Sequence, residues 1–143
     1  MVTSIATATW NGVLRSGNGQ FTAGSGSFEG AYTFATRFQG KKGTNPEELI
    51  AAAHAACLSM ALSADLEKAG TPATSITTTA SCTMEMVNGA PFVTTMKLQV
   101  RGTVDGLDNA AFVAAAQGAK ENCPVSKALK GNVKFELDAT LES

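Results

Sequence analysis

Histidine occurs once in this chain and cysteine three times, with no C-x-x-C pair. A zinc set is therefore short of ligands, although His54 and Cys57 share one helical face at i, i+3 spacing. Three cysteines cannot all pair within one chain, and they lack the density of a secreted disulfide scaffold. Neither sign of charge dominates: the formal net charge is -1, which gives no footing for nucleic acid or an anionic membrane. No glycine-rich phosphate loop and no Ser-His-Asp set stands out. The opening Met1-Val2-Thr3-Ser4-Ile5 shows no basic stretch running into an apolar one, so a reducing cytoplasm is the expected location. The most lipophilic stretch, Leu49 to Ala64, is mostly alanine and reads as too short and too weakly apolar to span a bilayer.

What is present describes one ordinary α+β domain over residues 1–143, with 44% apolar residues and enough length for a real core. Short strands are predicted at Ile5–Trp10, Gln20–Ala23 and Ala31–Phe38, with glycines between them. In the third of these, alternation puts Tyr32, Phe34 and Phe38 on one face and Arg37 on the other. A helix follows, opened by Asn45 as N-cap, Pro46 at the first position and Glu48 in a capping-box position. It should run to about Ala69 and stop at Gly70. Its surface from Leu49 to Ala64 is almost free of charge, so it should be buried on nearly all sides, which a small domain achieves by pairing with a second copy. A homodimer is expected.

A long hairpin comes next, turning at Asn88-Gly89, with Ile76, Thr78, Ala80, Cys82, Met84 and Met86 inward on its first strand. Phe92, Thr94, Met96, Leu98 and Val100 should point inward on the return strand. A helix from about Asp108 to Lys120, a short helix after Pro124 and a final alternating strand from Val133 to Leu141 complete the order.

The cysteines occupy contrasting settings. Cys57 lies in the alanine-rich helix, where a plain reading makes it an inert small hydrophobe. Burial raises a thiol's pKa, so a reactive Cys57 needs a nearby cation; Arg37 is the first candidate and Arg15 the reserve. Cys123 precedes Pro124 at a helix start, where free N–H groups favour a thiolate. Cys82 falls on a strand's core face and reads as packing. Glu48 has a capping role, whereas Glu47 does not. Glu47 precedes Cys57 by ten positions, roughly 15 Å along a helix axis, so it serves that cysteine only from a partner chain or through an intervening arginine.

The segment Thr36-Arg37-Phe38-Gln39-Gly40, then Gly43-Thr44-Asn45-Pro46-Glu47-Glu48-Leu49-Ile50-Ala51-Ala52-Ala53-His54-Ala55-Ala56-Cys57, then Asn122-Cys123-Pro124-Val125-Ser126, resembles the OsmC branch of the OsmC/Ohr family. The likeness extends along essentially the whole chain and includes the Trp10-Asn11-Gly12 opening; His54 favours the OsmC branch. The resemblance implies an intertwined α+β homodimer with antiparallel sheets packed around long buried central helices. It implies a thiol peroxidase acting on organic hydroperoxides and more weakly on hydrogen peroxide, with no bound cofactor or metal. Carried over by motif, Cys57 is the peroxidatic and Cys123 the resolving cysteine, Arg37 activates the thiolate, and Glu47 orients Arg37. The implied reductant is a dithiol such as dihydrolipoamide or a lipoylated protein.

Two rivals belong to other classes. A non-enzymatic, stress-induced binding or structural dimer would carry inert cysteines and consume no peroxide. A zinc module would use His54 with cysteines. A Cys57–His54 hydrolase dyad is weakened because i, i+3 helical geometry rarely aligns thiol and imidazole.

Overall fold

The computed structural model describes residues 1–142. The chain forms two compact units, Met1–Leu49 and the residues from Ile50 onward.

In the first unit β1 (Ala6–Asn11), β2 (Asn18–Ala23) and β3 (Glu29–Tyr32) form an antiparallel sheet in that order. Trp10, Phe21 and Tyr32 gather side by side, with ring centroids 5.5 Å (Trp10–Tyr32) and 6.0 Å (Phe21–Tyr32) apart. Gly19 makes room for them, because a Cβ there would sit 2.6 Å from the Tyr32 ring. Among residues 1–49 only Gly19, Ala23 and Glu47 are buried.

The expected third strand ends early. Phe34–Phe38 is a short helix, α1, not a continuation of β3. Thr33 ends the extended run by accepting the Thr36 N–H (3.2 Å), while Thr36 Oγ1 accepts the Thr33 N–H (2.9 Å). This reciprocal capping box outweighs the alternation of aromatics that imitates a strand. Arg37 consequently does not face away from the aromatics; its guanidinium lies 5.3 Å from the Phe38 ring centroid.

Helix α2 spans Pro46–Lys68. Asn45 Oδ1 accepts the Glu48 N–H at 2.8 Å, and the far end closes with Gly70 at φ 84° and the Thr71 N–H on the Leu66 carbonyl at 2.9 Å. His54, Leu58, Leu62 and Leu66, each one turn after the last, form its buried stripe. Ala52, Ala53, Ala56, Met60 and Ala64 are exposed within the single chain. By length and composition alone the full 23-residue helix, with a mean hydropathy of 1.6 over its most apolar window, could cross a membrane, as could many core helices. Its leucine stripe nevertheless joins a protein core.

In the second unit β4 (Ala73–Val87) and β5 (Ala90–Val104) form the long hairpin, turning at Asn88 (φ 51°) and Gly89 (φ 81°). Two consecutive positive φ values match the right-handed twist of the flanking strands. Strand β6 (Lys134–Glu142) lies beside β5 in parallel, giving the order β4-β5-β6. A bulge separates the pairs Thr83–Thr95 and Met84–Val93, so one extra residue, Thr94, stands in β5. The alternation flips there. Phe92 pairs with Glu85 and is 54% exposed, not inward as its spacing to Met96 implied.

Helix α3 (Asn109–Asn122) is capped by Asp108, which accepts the Ala111 N–H at 2.8 Å, and α4 spans Pro124–Leu129. The core unites Leu58, Leu62 and Leu66 of α2 with Met96, Leu98 and Val100 of β5 and Phe112, Ala116 and Ala119 of α3. Gly102 lets Phe112 lie against the sheet, since a Cβ there would meet its ring at 2.6 Å.

Candidate active site

Two clusters hold the chemistry, one in each unit. In the second unit, α2 carries Cys57 and the junction of α3 and α4 carries Cys123, with the two Sγ atoms 2.9 Å apart. Cys123 ends α3 and opens α4, with Pro124 at the first helical position. Cys123 is fully buried and Cys57 half-buried, so solvent and small molecules reach the pair at Cys57.

Their proton affinities differ. Burial pushes the Cys57 thiol up, and the hydrogen bond with Cys123 adds to this. Burial alone would raise Cys123 as well; against it act the hydrogen bond with Cys57, the N–H groups of Ser126 and Val125 and the Ser126 hydroxyl, and the net direction is down. Cys123 closes no full side-chain capping bond, so these N–H groups act on its sulfur as dipoles more than as a cap. Within the pair, Cys123 is thus the more acidic thiol.

Sequence reasoning missed Ser126. Its Oγ lies 2.7 Å from His54 Nε2, and both residues are buried. His54 Nδ1 has no partner, and the ring stands edge-on to Phe135 at 5.2 Å. Burial lowers the His54 pKa, which keeps the imidazole neutral. The signal was available: Ser126 follows Cys123 by three positions, as Cys57 follows His54. A serine beside a histidine suggests a hydrolytic nucleophile, but a serine 2% exposed beside a histidine 0% exposed has no access to substrate. Cys82 lies on the inner face of β4, opposite Met96, and packs against the core. Among the described residues no group of three or more His, Cys, Asp or Glu side chains converges as a metal site.

In the first unit, Glu47 in the first turn of α2 is buried and receives Arg37 in a fork: Nη2 to Oε1 at 2.7 Å, Nε to Oε1 at 3.1 Å and to Oε2 at 3.3 Å. Such a pair holds the guanidinium in one orientation more firmly than a single contact would. Arg15 is held differently, with its guanidinium 4.8 Å from the Phe34 ring centroid. A cavity of about 390 Å³ is walled by Trp10, Leu14, Tyr32, Phe34 and Phe38, with Arg37 also on its lining. It offers an apolar enclosure with one oriented cation, the make-up of a site for an apolar molecule with a polar end.

The OsmC-like protein family model matches residues 39–138, a stretch that includes Glu47, Cys57 and Cys123. The peroxiredoxin OsmC of Escherichia coli is 45% identical over 137 residues, covering 95% of this chain and 94% of that protein. Among solved structures, an organic hydroperoxide resistance protein from Elizabethkingia anophelis matches with a TM-score of 0.77 at 25% identity, covering 99% of this chain and 98% of that one. OhrB of Bacillus subtilis, also an organic hydroperoxide resistance protein, matches with a TM-score of 0.67 at 26% identity, covering 95% and 98%. The α+β architecture is thus one shared with Ohr and OsmC proteins. This chain belongs to the OsmC family.

Proposed function

We propose that this chain is a two-cysteine thiol peroxidase that reduces organic hydroperoxides, and hydrogen peroxide less well. Its likeness to a peroxiredoxin along 95% of its length supports the peroxidase activity, and the organic hydroperoxide resistance proteins among its structural relatives support the substrate class. The observation that carries the mechanism is the 2.9 Å approach of one half-buried and one fully buried sulfur. A disulfide of about 2.05 Å needs the two to close by less than ~1 Å.

In this reading the accessible Cys57, as thiolate, attacks the distal oxygen of the hydroperoxide. The O–O bond breaks, the alcohol leaves after taking a proton, and Cys57 becomes a sulfenic acid. Cys123 then attacks the Cys57 sulfur, water departs, and a disulfide remains. An external dithiol such as dihydrolipoamide, or a lipoylated protein, restores both thiols by exchange. Because burial raises the Cys57 pKa, the first step requires a cation, and Arg37 held by Glu47 is the group we assign to it. The apolar cavity that Arg37 lines suits an alkyl chain behind the peroxide.

The working form is a homodimer. The exposed stripe Ala52, Ala56, Met60 and Ala64 is free of charge, and a second copy would cover it. Glu47 and Cys57 stand ten positions apart on one helix, so the Arg37–Glu47 pair would act on a cysteine of the partner or reach Cys57 through the arginine.

Intact mass after one equivalent of cumene hydroperoxide tests the cycle. Wild type should lose two hydrogens, and Cys123→Ser should gain one oxygen. Unchanged masses with peroxide left unconsumed would instead fit the non-enzymatic dimer with inert cysteines.

A further inference from the structure

The contact between α2 and α4 has two rungs. On α2, His54 and Cys57 are three positions apart; on α4 and its cap, Cys123 and Ser126 are three positions apart. The sulfurs meet at 2.9 Å, and His54 Nε2 meets Ser126 Oγ at 2.7 Å. The reaction described above uses the first rung alone. The second is a fully buried polar pair, and buried polar groups in a core are kept where they find a hydrogen bond, as these two find each other.

The tautomer of His54 follows from what surrounds it. The ring is neutral, its Nε2 is engaged by Ser126, and its Nδ1 has no partner. A buried N–H without an acceptor is rarer in proteins than a buried acceptor without a donor. The proton therefore sits on Nε2 and is donated to Ser126 Oγ, which frees the serine hydroxyl to donate elsewhere. Ser126 is the third residue of α4 and Cys123 its cap, so the two side chains lie within one helical turn, and the Cys123 N–H is already taken by the Ala119 carbonyl at 2.8 Å.

We propose that His54 and Ser126 form a buried relay, His54 Nε2–H to Ser126 Oγ and Ser126 O–H to Cys123 Sγ, that holds Cys123 as the leaving thiolate when the Cys57–Cys123 disulfide is reduced, so that the reducing dithiol attacks Cys57. This rests on the peroxidase reading and adds the direction of its last half-cycle. One thiolate of the dithiol bonds to Cys57 Sγ, the S–S bond breaks, and its electron pair goes to Cys123 Sγ, where the Ser126 hydroxyl receives it. The second thiolate of the reductant then displaces Cys57, the reductant leaves as its own disulfide, and the dithiol's two protons end on the protein sulfurs. Burial agrees with this direction, since Cys57 is the sulfur that can be approached. Exchange also proceeds faster when the departing thiol is the more acidic one. The lowered proton affinity of Cys123, to which the Ser126 hydroxyl contributes, is what such a relay produces. In this relay Ser126 acts on the Cys123 sulfur, and His54 acts through Ser126 and is a positioning residue.

The test is the redox equilibrium of the Cys57–Cys123 pair against a lipoate/dihydrolipoate couple, read by thiol-alkylation mass shift. Losing a hydrogen bond to the thiolate disfavours the reduced form, so Ser126→Ala should move the equilibrium toward the disulfide about tenfold, a potential ~30 mV more negative. Ser126→Thr keeps the hydroxyl and should stay near wild type. His54→Gln, which retains a donor near the Nε2 position, should shift less than Ser126→Ala. A pair that merely clamps the two helices makes the opposite forecast, because a loosened site favours the dithiol. An unchanged equilibrium, or a shift toward the dithiol, overturns the relay. Ser126→Ala strands the buried imidazole; should it fail to fold, His54→Leu/Ser126→Ala removes both partners and must show the same shift. A wild type that never forms the disulfide would instead overturn the peroxidase reading itself.

Discussion

The two units of this chain are built on different physics. From Ile50 onward, Leu58, Leu62, Leu66, Leu98, Val100 and Phe112 are all buried in one cluster, and the thiol pair sits on the same framework. The first 49 residues bury only Gly19, Ala23 and Glu47, and they leave Ile5, Val13, Leu14 and Phe28 exposed. A sheet of three short strands with so little interior is poorly stabilised by its own burial. What it does hold firmly is an oriented cation, through the forked pair of Arg37 and Glu47 and the aromatic cavity beside it. One region holds a packed core and the thiol pair, and the other holds an oriented cation beside an apolar cavity. In the proposed function the two are complementary, because burial first and the Cys123 hydrogen bond second raise the Cys57 pKa, and the cation proposed to offset this is Arg37.

Truncation sharpens this contrast most strongly. Leu62→Ala should cost about 2–5 kcal/mol of unfolding free energy, whereas Ile5→Ala, at a position 69% exposed, should stay within ~0.5 kcal/mol. Urea melts followed by circular dichroism check both. Equal costs would mean that the first unit carries a core of its own.

A smaller effect probes the second unit by pH. The folded-state pKa of His54 is lowered by burial, so the unfolded chain binds its proton more readily. The contribution is fully present above the ordinary histidine range and is lost as pH falls through the folded value. The urea midpoint should therefore drop between pH 7.5 and 5.5 in wild type and drop less in His54→Gln. Identical pH slopes would remove His54 from the account.

Much of this arrangement is legible in the residues. Asn45, Pro46 and Gly70 bound α2 by local chemistry that tertiary contacts did not override, and Asn88-Gly89 sets its turn through backbone preference alone. The misreadings have particular causes. Phe34, Phe38 and the residues between them alternate like a strand, yet two threonines three apart formed a capping box and wound the segment into α1. Phe92 follows the period of its strand on paper, but the extra residue at Thr94 turned it outward, and bulges leave little trace in composition. Ser126 follows Cys123 at a telling spacing, but its partner is a histidine 72 positions away, so the spacing alone named no contact. The stripe along α2 was readable as apolar, although a single chain covers just one side of it.

The proposed function turns on Arg37 activating the Cys57 thiolate. The direct measurement is the second-order rate of Cys57 oxidation by cumene hydroperoxide, by stopped flow, in Cys123→Ser against Cys123→Ser/Arg37→Met. Removing a donor that stabilises developing charge typically costs about 100-fold or more, and a fall of that size is expected here. An unchanged rate in the double variant would contradict the claim.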